Sequence, residues 1–86
     1  MNIWCKTLIE NEIEKSVVER NSLPLSKENT LYSLQVVCEK MDIPTPILTD
    51  TLYKNIEQFN FIKFLPSDFI ESVSFDCLVV EYFIEK

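Results

Sequence analysis

Residues Ile3 to Ile9 and Ile13 to Arg20 form two runs rich in Ile, Val, Thr and Trp, separated by the polar triplet Glu10-Asn11-Glu12. A turn-length polar break between two β-prone runs predicts a hairpin. A tight hairpin needs positive φ, and in a chain without glycine Asn11 is the residue best able to supply it. In the first run Ile3, Cys5, Thr7 and Ile9 alternate with Trp4, Lys6 and Leu8, so Trp4 and Lys6 share a face. In the second, Ile13, Lys15, Val17 and Glu19 alternate with Glu14, Ser16 and Val18. That weaker pattern suits a partly exposed edge whose charges discourage further pairing.

After the linker Asn21-Ser22-Leu23-Pro24-Leu25-Ser26, the period lengthens. Leu31, Leu34, Cys38 and Met41 recur at helical spacing with Val37 beside them, which predicts a helix over 30–41. Ser26 or Asn29 can cap its start, Glu28 and Lys40 suit its dipole, and Pro44 stops it. Pro46-Ile47-Leu48 reads as a short edge strand, and Thr49 or Asp50 can cap a brief helix over 52–58. Phe61, Ile62, Phe64 and Leu65 suggest another strand, ended by Pro66. Asp68-x-x-Glu71 has capping-box spacing and predicts a helical turn over 67–72. Cys77 to Ile84 is the clearest strand. It is apolar on both faces, so it belongs in the middle of a sheet, beside the N-terminal strand.

These elements define an α+β fold: an antiparallel sheet of three to four strands, made of the N-terminal hairpin and the C-terminal strand, with one main helix on one face. Eighty-six residues make one small domain, 1–86. A chain of this size buries only roughly 60–65% of its unfolded surface, so dimerisation that covers a sheet edge or an apolar patch is in character.

Charge narrows the partners. Fourteen acidic against eight basic residues give a net charge of −6, and no two basic residues are adjacent. Nucleic acid and anionic membranes, which draw on clustered positive charge, are poor partners. An acidic surface favours a basic protein or simple solubility. Cys5, Cys38 and Cys77 lack the close pairs of a zinc site and read as small core hydrophobes. Free thiols, no signal-peptide pattern and no membrane-length apolar run point to the cytoplasm.

Catalysis finds little to work with. Histidine is absent, and with it the commonest general base and transition-metal ligand. Without glycine, neither a P-loop nor a dinucleotide fingerprint can be built. No catalytic residue, cofactor or metal is therefore expected. The remaining candidates for a partner surface are Trp4 and the stretch Asp68, Phe69, Glu71 and Asp76. The carboxylates, bracketed by Phe69 and Phe75, make either an acidic, aromatic-flanked hot spot or a weak oxygen-ligand cation site. Alternatively, Asp68 and Glu71 cap a turn and Asp76 leads into the last strand. Trp4 is an interface anchor if its face is open, and a core residue if it lies under the helix.

Ile3-Trp4-Cys5-Lys6, Cys38, Pro46-Ile47-Leu48, Phe64, Asp68-Phe69-Ile70-Glu71 and Phe75-Asp76-x-Leu78-x-Val80 together resemble a group of small cytoplasmic proteins of Firmicutes bacteria whose function is unknown. The resemblance spans most of the chain and implies a short α+β domain. It carries no functional residues with it. The expected function is non-catalytic: a protein–protein interaction or regulatory accessory domain. The alternative is an acidic nucleic-acid mimic or inhibitor, antitoxin-like or a phage-defence antagonist, blocking a basic cleft.

Overall fold

The computed structural model of the chain describes residues 1–85 and has six main elements. They are β1 (Asn2–Ile9), β2 (Glu12–Arg20), α1 (Lys27–Met41), α2 (Asp50–Phe59), β3 (Phe61–Phe64) and β4 (Cys77–Phe83). The strands form one antiparallel sheet in the order β2-β1-β4-β3, so the doubly apolar C-terminal strand is indeed central and paired with β1. The expected α+β architecture holds, and α1 packs on one face, closest to β2.

The hairpin closes through a two-residue turn, Glu10-Asn11, with φ of 52° and 65°. Two consecutive positive φ values are the signature of the turn whose twist matches paired strands. Here it is made without glycine, and Glu10 carries the steric cost of the left-handed region. The Glu10 N–H donates to Asp76 Oδ2 at 2.7 Å, and the Asp76 N–H donates to the Leu8 carbonyl at 2.8 Å. Asp76 thus ties the turn to the start of β4.

Beyond the turn the pairing slips. Thr7 faces Lys15 but Leu8 faces Ile13, leaving Glu14 as an extra residue in a β-bulge. The bulge overturns part of the strict alternation expected for β2. Ile13 moves to the same side as Leu8, away from Lys15, Val17 and Glu19. Glu14 accepts a hydrogen bond from the buried Thr7 hydroxyl at 3.1 Å.

Both helices end on left-handed residues other than glycine. Ser26 caps α1 through the Asn29 N–H, three residues earlier than the periodic stripe suggested. The helix stops at Asp42 (φ 56°), where the N–H groups of Asp42 and Ile43 donate to the carbonyls of Glu39 and Cys38. That Schellman closure, rather than Pro44, terminates it. Thr49 caps α2 through the Leu52 N–H, and Asn60 (φ 64°) closes the helix by donating to the Ile56 carbonyl.

Two expected elements differ. Residues 46–48 form no strand: Pro44 and Pro46 lack donors for a ladder, and the Ile47 N–H instead reaches the Asp68 carbonyl at 2.8 Å. The helical turn expected over 67–72 lies earlier, as a 3-10 turn at Pro66–Asp68. Asp68 turns its carboxylate back to the Leu65 N–H, 2.8 Å away, and Phe69 is extended, with its ring buried.

The core lies between the sheet and the helices. Ile3 and Cys5 of β1, Leu78 and Val80 of β4, and Ile62 and Phe64 of β3 are fully buried. They pack with Leu34, Val37, Cys38 and Met41 of α1 and Ile56 of α2. Phe69 and Phe75 join the same core in an edge-to-face pair, with centroids 5.4 Å apart.

Candidate functional site

All helical residues of the core pack against one side of the sheet; register defines what the other side carries. Partners directly opposite one another share a face. One row therefore runs Val18, Trp4, Glu81, Phe61, and the next runs Ser16, Lys6, Val79, Lys63. Arg20, Asn2 and Phe83 flank them at one end, and Ile13, Leu8 and Cys77 at the other. Neither helix supplies a residue to this side. Val18 keeps 38% of its surface exposed, Phe61 45% and Ile13 53%, while Trp4, Leu8, Val79 and Phe83 are half-buried.

Trp4 sits near the middle of this surface and does not lie under α1. The helix packs on the face of Ile3 and Cys5, and alternation sends Trp4 the other way. Trp4 and Lys6 share a face, as their spacing predicts. The Lys6 ammonium lies 4.0 Å from the Trp4 ring centroid and donates to Glu81 Oε1 at 2.9 Å. Arg20 lies over the Phe83 ring and pairs with Glu85. The charges on this face are thus largely matched in place. Lys63 makes no ion pair among the described residues.

The acidic stretch does not gather into one surface. Asp68 is spent on the Leu65 N–H at the end of β3, and Asp76 on the hairpin turn. Phe69 is core. Glu71 is exposed beside Cys38, Glu39 and Asp42, near the C-terminal end of α1. Among the described residues no group of three His, Cys, Asp or Glu side chains is placed to hold a metal ion. The groove at Asn21, Leu23, Asn29 and Tyr32 contains no charged side chain, whereas a second concavity brings Glu14, Lys15 and Asp42 beside Ser72 and Ser74.

The three thiols are buried and unpaired. Burial pushes Cys5 far above the ordinary thiol range, with Cys38 and Glu19 adding to the effect. Burial also pushes Cys38 up to about 11, against a hydrogen bond with Thr45 that pulls it down. Neither has the exposed, electropositive surroundings of a reactive cysteine. No helix among the described residues is long and apolar enough to cross a membrane.

Val18, Phe61, Ile13 and Phe83 escaped sequence reading as surface candidates. Val18 and Phe83 follow from alternation once β4 is set beside β1. Ile13 depends on the bulge and Phe61 on the β3 register, and neither leaves a mark in the sequence. Comparison with known proteins finds no matching family model, curated protein or solved structure.

Proposed function

We propose that this protein is a non-catalytic interaction domain that docks a protein partner on the helix-free face of its sheet, with Trp4 as the anchor. The observation that carries this reading is the row Val18, Trp4, Glu81, Phe61, which places three apolar side chains on a side that neither helix covers. Apolar surface grouped on one face, rather than scattered singly, marks interaction sites, and tryptophan is the residue most enriched at their centres. With Lys6 satisfied by Glu81 and Arg20 by Glu85, the partner meets a nearly neutral aromatic surface. Lys63 at its margin is available to a carboxylate. The excess negative charge of the protein lies elsewhere, so the face itself does not select a basic partner.

Extent favours a transient contact. Four strands about 4.8 Å apart and seven residues at about 3.3 Å each outline a face of roughly 440 Å². That is about half of the ~800 Å² each partner gives to a standard interface. The mimic alternative draws less support, because Asp68, Asp76, Glu81 and Glu85 are each engaged by a backbone N–H or a cation of the same chain.

The test is affinity capture from the native cells with the wild type, Val18→Asp, and Glu28→Ala, at an exposed position of α1, as control. The reading expects a specific protein recovered by wild type and control but lost with Val18→Asp. Recovery of the same protein by all three would sink it.

A further inference from the structure

The sheet ends at β3, whose outer edge is paired with no other strand among the described residues. The Tyr82 N–H donates to the Asn60 carbonyl at 2.7 Å, and the β3–β4 register continues from that pair. In an antiparallel ladder hydrogen-bonded and non-hydrogen-bonded pairs alternate. Ile62 and Phe64 therefore direct their N–H and C=O groups toward β4, and Phe61, Lys63 and Leu65 direct theirs outward. At Leu65 the outward groups are already used: its N–H donates to Asp68 Oδ2, and its C=O accepts from the Asp68 N–H at 2.9 Å. Among the described residues nothing bonds the outward N–H or C=O of Phe61 or Lys63. Four backbone groups in a row are left on an exposed edge.

We infer that this edge pairs with the same edge of a second copy, antiparallel, about a twofold axis at Ile62. Phe61 of one copy then faces Lys63 of the other, and both residues exchange N–H···O=C bonds across the junction. The four groups satisfy one another without remainder, as an isologous contact requires. The side chains fit as well, since a lysine meets a phenylalanine ring across the strands. The neighbouring permitted registers fail. One sets Lys63 against Lys63, and the other sets Lys63 against Phe59, which lies inside α2. Asp68 ends the pairing at Leu65, which confines it to this register.

The opposite edge is guarded. β2 carries a bulge at Glu14, and its helix-side charges are committed: Lys15 to the Met41 carbonyl, and Glu19 to Lys40. β3 has one charge, and Phe61 and Leu65 beside it are 45% and 48% exposed. A twofold axis perpendicular to the sheet keeps both helix-free faces on the same side. The dimer presents one continuous eight-stranded surface, with twice the area available to a single partner.

Light scattering on a sizing column tests this with the wild type loaded from about 10 µM to about 1 mM, the range of weak pairs. The expected mass rises toward twice the 10.1 kDa of one chain. Lys63→Pro deletes an outward N–H without touching the β3–β4 ladder, so it stays at 10.1 kDa with unchanged far-UV circular dichroism. Val18→Pro, on the β2 edge, still dimerises. In the wild type, the Phe61 and Lys63 amides exchange with solvent more slowly as concentration rises. A wild type that remains monomeric at the highest loading overturns the inference, as does a folded Lys63→Pro that still dimerises. Should Lys63→Pro not fold, the exchange experiment decides: unprotected Phe61 and Lys63 amides in the wild-type dimer overturn it. Because partner capture at Val18 is a separate readout, failure here leaves the docking face standing.

Discussion

Lys6 Nζ lies 4.0 Å from the centroid of the Trp4 ring, so the charged side chain that ought to be the most polar point of the open face instead roofs its largest aromatic. The same ammonium is held by Glu81 at 2.9 Å, which fixes its position over the ring. Cation–π contacts of this kind contribute about 0.5–1 kcal/mol at exposed sites and more as water is excluded. Lys6→Ala should therefore lower stability by about 1 kcal/mol in urea unfolding and shift the emission of the single tryptophan to the red, because water replaces the lysine over the ring.

The glycine-free hairpin turn supplies a second expectation. Glu10 holds φ of 52° with a full side chain, at a position where glycine would relieve the clash of Cβ with the backbone. Glu10→Gly should raise stability by about 0.5–1 kcal/mol despite the entropy glycine adds to the unfolded chain. Asp76→Ala should act in the opposite sense, by about 1 kcal/mol, because the Glu10 N–H loses its acceptor. Thermal unfolding of the two variants checks both signs.

Buried thiols fix the response to alkali. Unfolded thiols ionise near 9.0, whereas burial holds Cys38 protonated up to about 11 and Cys5 beyond that. Between those limits the unfolded state binds fewer protons than the folded one, so stability falls as pH rises. The decline begins near 9 and steepens to about 1.4 kcal/mol per pH unit for each such thiol. At pH 8 the folded protein should resist a thiol reagent and react fully only in denaturant. Rapid modification of Cys5 or Cys38 in the native protein would contradict this placement.

Much of the fold was legible because its signals are local. The hairpin needed only the Glu10-Asn11-Glu12 break, and the central place of β4 followed from apolar residues on both of its faces. Capping chemistry narrowed the helix starts to Ser26 or Asn29 and to Thr49 or Asp50, and Ser26 and Thr49 are the caps. What stayed hidden depends on pairing. The bulge at Glu14 moves Ile13 across the sheet, and the turn at Pro66–Asp68 arises because Asp68 finds the Leu65 N–H rather than Glu71. Phe69 looked like a surface aromatic among carboxylates, yet it is held in the core by Phe75, a contact the sequence does not encode in any spacing. The open face belongs to the same class. Trp4 and Lys6 could be assigned to one side from alternation, but which side the helices cover is decided by how β1, β4 and β3 line up.

Docking on the helix-free face would cover Trp4, and the chain's single tryptophan makes that directly measurable. Acrylamide quenching of its emission should be appreciable in the free protein, where the ring is half-buried, and should drop when the captured partner is added in excess. A partner that binds while leaving Trp4 as quenchable as before would contradict docking on this face.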